Sequence, residues 1–137
     1  MAQYRPGRDR PAPDRPAGAG SSTWNDVERI GLSLPDTSLG AAHEGSPALL
    51  VRTQQFARLR WDDVGGEILQ FWVPDPDLVT AYAQDDPTTY HGAPGYSKKV
   101  VMASLPRMDP QTLREVLVES WACRAPVTLR RKHPDLR

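Results

Sequence analysis

One cysteine, Cys123, stands among 137 residues, and its solitude excludes an internal disulfide framework. Val116, Leu117 and Trp121 lie close to it in sequence, so it reads as a packed thiol of a reducing compartment. No apolar run approaches the roughly 18 residues that a membrane-spanning helix needs, and the N-terminal stretch lacks the apolar core of a secretory leader. A cytoplasmic protein that does not enter the membrane is the expectation.

Standard catalytic patterns are missing as well. His43, His91 and His133 are scattered with no H-x-x-x-H or C-x-x-C spacing, so no preformed zinc site is expected. There is no Walker lysine motif, no G-x-S-x-G elbow and no G-x-G-x-x-G opening a helix. The pairs Asp62–Asp63 and Asp85–Asp86 flank turn residues, where aspartates bond nearby amides, so they read as turn formers rather than as an acid and a base. These absences point to a protein that is not an enzyme and uses no metal or cofactor.

Net charge is absent too, with 17 basic and 17 acidic side chains. The balance conceals a gradient. Residues 1–22 carry Arg5, Arg8, Arg10 and Arg15 against Asp9 and Asp14, and residues 124–137 carry Arg124, Arg130, Arg131, Lys132 and Arg137 against Asp135. Between them, eight basic residues face fourteen acidic ones. The chain is basic at its ends and acidic in its body, without the strong positive excess that marks many nucleic-acid-binding domains.

What is present fits one domain. Residues 1–22 are rich in Arg, Pro and Gly with almost nothing apolar, and they read as a disordered arm that cannot bury enough surface to offset its ordering. The domain is expected over residues 23–133, with a frayed tail at 134–137. Thr23 is a candidate N-cap whose hydroxyl accepts from the first turn of a helix that places Trp24, Val27, Ile30 and Gly31 on one face and stops at Pro35. Turn residues near 44–47, 53–55 and 62–66 separate β-rich runs at 48–52, 56–61 and 67–73, a meander of three or four antiparallel strands. Asp75 or Asp77 opens a short helix carrying Leu78 and Tyr82 at i, i+4. A Gly/Pro loop, "YHGAPGY", turns the chain into a last strand, "KKVVMASL". Asp109 and Pro110 then start a helix with Leu113, Val116, Leu117 and Ser120 on one stripe; Pro126 ends or kinks it, and one basic turn follows. The predicted fold is α+β: an antiparallel β-sheet of four to five strands with helices packed on one face, in the order α-β(3-4)-α-β-α.

Candidate binding residues come from three places. In "FARLRW", period-two alternation puts Ala57, Leu59 and Trp61 on one face and Phe56, Arg58 and Arg60 on the other, a basic and aromatic stripe able to hold phosphates and stack bases. The competing reading pairs these arginines with Glu67 on the adjacent run. Lys98 and Lys99 open the last strand and point to opposite faces, and no helix follows their loop to make it a phosphate cradle. Arg130, Arg131 and Lys132 form the third group.

Several stretches resemble the MmcQ/YjbR family over nearly all of residues 23–133: "VERIGLSLPDT", "QQFARLRW", "DPDLVTAYAQDDP" and "LREVLVESWACRAPVTLRRK". The more specific pieces are the Leu-Pro exit of the first helix and the Trp-x-x-Arg-Ala-Pro end of the last. At the final strand, "SKKVVMA" keeps the lysine and β-branched residues seen in many members but lacks their Trp. The resemblance implies an α+β sandwich of antiparallel sheet and helices, a DNA-binding role and no established catalytic residues. Two functions follow as expectations: weakly specific phosphate contact with DNA through Arg58, Arg60, Lys98, Lys99, Arg130, Arg131 and Lys132, or a module that takes a protein partner or small ligand on exposed aromatics.

Overall fold

A computed structural model describes residues 20–136. The expectation of a disordered arm therefore falls, for residues 1–19, outside the described residues. Ser22 already belongs to the fold, since it is buried, its N–H donates to Leu105 O at 3.0 Å and its hydroxyl donates to Met108 O at 2.8 Å.

Helix α1 spans Trp24–Gly31 and buries the predicted face of Trp24, Val27, Ile30 and Gly31. Its N-terminus is closed by a reciprocal capping box between Thr23 and Asp26. The Asp26 carboxylate accepts from the Thr23 N–H at 2.8 Å and from the Thr23 hydroxyl at 3.3 Å. That backbone bond, aided by Arg29, holds the Asp26 carboxyl below its usual range despite partial burial. Gly31 is required by closeness, because a Cβ there would overlap the Leu49 side chain.

The sheet has six strands where four to five were expected. They are β1 Thr37–Ala41, β2 Pro47–Val51, β3 Gln54–Trp61, β4 Glu67–Trp72, β5 Tyr90–Ala93 and β6 Ser97–Ser104, all paired antiparallel in the order β1-β2-β3-β4-β6-β5. Both additions are edge strands of weak local character. β1 is the short, largely exposed "TSLGA", and β5 is the first half of the supposed Gly/Pro loop, extended because β6 offers it a ladder. The remaining helices are α2 Pro76–Asp85, α3 Pro110–Arg124 and α4 Val127–Lys132. Asp75 caps α2 through Asp77 N–H and Asp109 caps α3 through Thr112 N–H, each at 2.8 Å. Pro126 breaks the last helical stretch in two, and Pro134–Leu136 forms a closing 3-10 turn.

All four helices contribute to one core. Val27, Leu117, Trp121 and Leu129 pack with Leu49, Phe56, Leu69, Phe71 and Val101, while Leu78 and Tyr82 of α2 are partly buried against the same cluster. The strand residues in it share one side of the sheet, so the helices lie on one face, as expected.

Phe56 departs from the sequence reading. The β2–β3 register slips between Leu49 and Leu50, leaving Phe56 as the extra residue of a bulge, and its ring turns into the core beside Ala57 instead of standing with Arg58 and Arg60. Ser120 of α3 fills the gap in the ladder: its buried hydroxyl donates to Phe56 O at 2.5 Å and accepts from Trp72 N–H at 2.9 Å. Helix and sheet are thereby joined at the point where the strands fail to meet.

Candidate functional site

The sheet face away from the helices carries no carboxylate at any strand position. Alternation and register place Gly40, Ala48, Arg58, Gln70, Met102 and His91 in one row across it. A second row holds Arg60, Ile68 and Ser104, and toward the other end lie Leu50, Gln55, Trp72, Val100 and Lys98. In a body with fourteen acids against eight bases, such a face is set apart by its charge. Apart from Glu67, which opens β4, the acids occupy helices and turns. Asp62 Oδ1 accepts from Val64 and Gly66 N–H, and Asp86 Oδ1 accepts from Thr88 and Thr89 N–H, in the turn-forming role read for both pairs. Glu67, expected to pair with the arginines, faces the helices instead and accepts from Trp24 N–H at 2.9 Å.

The cations of this face differ in their freedom. Arg58 is only 9% exposed; its Nε donates to Ser46 Oγ at 3.0 Å and its Nη2 to His43 O at 3.2 Å, so it ties down the loop between β1 and β2. Arg60 is half-buried and Lys98 exposed. Arg60 aligns with Ser104 through Ile68, and Lys98 lies six residues earlier on the same strand, a separation of roughly 20 Å along the sheet. Between them sits Gln70, fully buried, with neither amide atom hydrogen-bonded.

The other predicted cations lie elsewhere. Lys99 points to the helix side, where it and the arginines 124 and 130 pull against the burial that pushes the Cys123 thiol up. Arg130 lines a groove of about 440 Å³ with Pro74, Val118, Ala122, Cys123 and Leu136, bounded by Glu115 and Glu119. Arg131 and Lys132 are exposed on α4. The seven candidates thus fall into a far-face group, Arg58, Arg60 and Lys98, and a helix-side group, Lys99, Arg130, Arg131 and Lys132. They do not make one continuous surface. Exposed aromatics do not converge either, since Trp61 ends β3 and Tyr96 precedes β6, which runs in the same direction.

Arg124 was not among the sequence candidates, yet it joins the two sides. Its guanidinium stacks 4.8 Å from the Trp72 ring centre, its Nε donates to Gln55 O at 2.7 Å and its Nη2 to Gln54 Oε1 at 3.0 Å. The available signal was the Trp-x-x-Arg spacing, one helical turn, which aims Trp121 and Arg124 at the sheet end together. Trp121 in turn donates from Nε1 to Pro35 O at 2.9 Å, bonding the two most specific sequence pieces, the Leu-Pro exit and the Trp-x-x-Arg-Ala-Pro end. Among the described residues no three His, Cys, Asp or Glu side chains gather to hold a metal ion, and no helix is long and apolar enough to cross a membrane.

Uncharacterized protein Rv2570 of Mycobacterium tuberculosis (strain H37Rv) and Uncharacterized protein Mb2600 of Mycobacterium bovis are each 26% identical to the chain over 119 residues, covering 79% of it and 92% of their own length. No solved structure matches. The model of the YjbR family matches residues 32–123, from the end of α1 through the whole sheet to the Cys123 turn of α3, and the chain belongs to that family.

Proposed function

We propose that the chain is a non-enzymatic nucleic-acid-binding protein that takes DNA across the far face of its sheet by phosphate contact. The observation that carries this reading is the absence of any carboxylate from the strand positions of that face, in a body that is otherwise acidic. Arg60 and Lys98 are the phosphate contacts, while Arg58 adds positive potential from a fixed position. Lys99, Arg130, Arg131 and Lys132 take no part in this surface.

With two phosphates neutralised, counterion release gives a salt slope near −1.4 for a single strand, so affinity falls about sevenfold between 50 and 200 mM salt. Fluorescence anisotropy with labelled single-stranded and duplex DNA at those two concentrations tests it. Absence of binding at the lower salt, or affinity unchanged at the higher, overturns the reading.

A further inference from the structure

The fixed donors of the far face include one group that phosphate contact leaves unused. Gln70 lies at its centre, register partner of Arg58 on one side and Met102 on the other. Its side chain is fully buried, and neither Nε2 nor Oε1 has a hydrogen-bond partner. Buried amides are nearly always satisfied, and an orphan donor and acceptor together on a carboxylate-free sheet face mark a place where a partner completes the pairing. A phosphate accepts only and satisfies Nε2 alone. An unpaired nucleobase presents a donor and an acceptor side by side and satisfies both, as amide side chains do when they read a base edge.

We propose, resting on the nucleic-acid reading above, that the far face prefers single strands and that Gln70 receives the edge of one unstacked base. Entry requires the neighbours that shield Gln70 to move. Met102 and Arg60, both only partly buried, have flexible side chains suited to swing aside. In a duplex the Watson–Crick edges are paired, and the edges left free lie at the bottom of grooves that a sheet face cannot enter flat, so the amide stays unsatisfied. Arg58, held by Ser46 and His43, keeps a fixed positive charge beside the base.

The test uses the full-length chain and three labelled probes at one low salt concentration: a short oligo-dC strand, an abasic strand with the same number of phosphates, and a duplex of the same length. The wild type is expected to bind oligo-dC about tenfold more tightly than the abasic strand, the discrimination of one good bidentate contact. Gln70→Met, which keeps the volume and removes the amide, is expected to bring that ratio close to one. Equal wild-type affinity for oligo-dC and the abasic strand overturns the base contact and leaves the phosphate reading intact. So does tighter binding of the duplex, or a ratio that survives Gln70→Met. Failure to bind any probe overturns both. Should Gln70→Met fold poorly, Gln70→Leu, which also removes the amide, is read by the same ratio.

Discussion

Replacing Ser120 with alanine removes a single hydroxyl and strands two backbone groups. In the native chain that hydroxyl stands between β3 and β4 at the Phe56 bulge, donating to Phe56 O and accepting from Trp72 N–H, with no solvent access. Water cannot replace it at a fully buried site. Each orphaned group costs about 1–3 kcal/mol, so Ser120→Ala is expected to lose about 3 kcal/mol in all. For a domain of this size that lowers Tm by about 12 °C. Urea unfolding followed by Trp fluorescence measures it, with the midpoint shifted and the m-value unchanged because the same surface is exposed. A loss below about 1 kcal/mol refutes the reasoning. It shows that the strands close into a regular ladder once the hydroxyl is gone, and that the bulge is not held by α3.

Three other outcomes follow from local chemistry. Gly31→Ala pushes a methyl group into Leu49 and is expected to cost about 1–3 kcal/mol by overpacking; a neutral urea midpoint contradicts the close approach of α1 to β2. Burial, together with the bond its hydroxyl donates to Glu119, raises the Tyr82 pKa well above the ordinary value of 10.0, so the folded chain keeps a proton that the unfolded chain loses. Stability from this group is complete below about pH 10 and declines as pH rises past it; Tyr82→Phe is expected to show a shallower alkaline decline, and identical slopes refute the assignment. Burial also pushes the Cys123 thiol up, so its alkylation at pH 8 is expected to run more slowly in native than in urea-unfolded protein, and equal rates contradict its packing in the groove.

The elements written in local chemistry were legible from sequence. Asp75, Asp109 and Pro110 announce helix starts because capping involves residues a turn apart, and the stripe of Leu113, Val116, Leu117 and Ser120 follows from the helical period alone. β1 and β5 were not, because "TSLGA" and "YHGA" are strands only by virtue of the partners they pair with. Phe56 shows the limit most clearly. Strict alternation places it beside Arg58, but a one-residue bulge set by packing against α3 turns it inward and removes the aromatic half of the predicted stripe. Arg58 and Arg60 do share the far face, since alternation beyond the bulge is regular, but Arg58 is buried there against the β1–β2 loop. That rule also separated Lys98 from Lys99, whereas the division between far face and helix side required the tertiary fold. Gln70 gave no signal in sequence, because an amide in a strand becomes informative only when its neighbours leave it unpaired.

Moving the charge off each face in turn tests the central claim most directly. Salt slopes for single-stranded DNA are compared between wild type, Arg60→Gln/Lys98→Gln and Arg131→Gln/Lys132→Gln, all four residues lying outside the core cluster. The far-face pair is expected to reduce the slope by about 1.4, two contacts at 0.7 each, while the helix-side pair leaves it unchanged. A slope that falls with the helix-side pair and not with the far-face pair contradicts the assignment of the sheet as the binding surface.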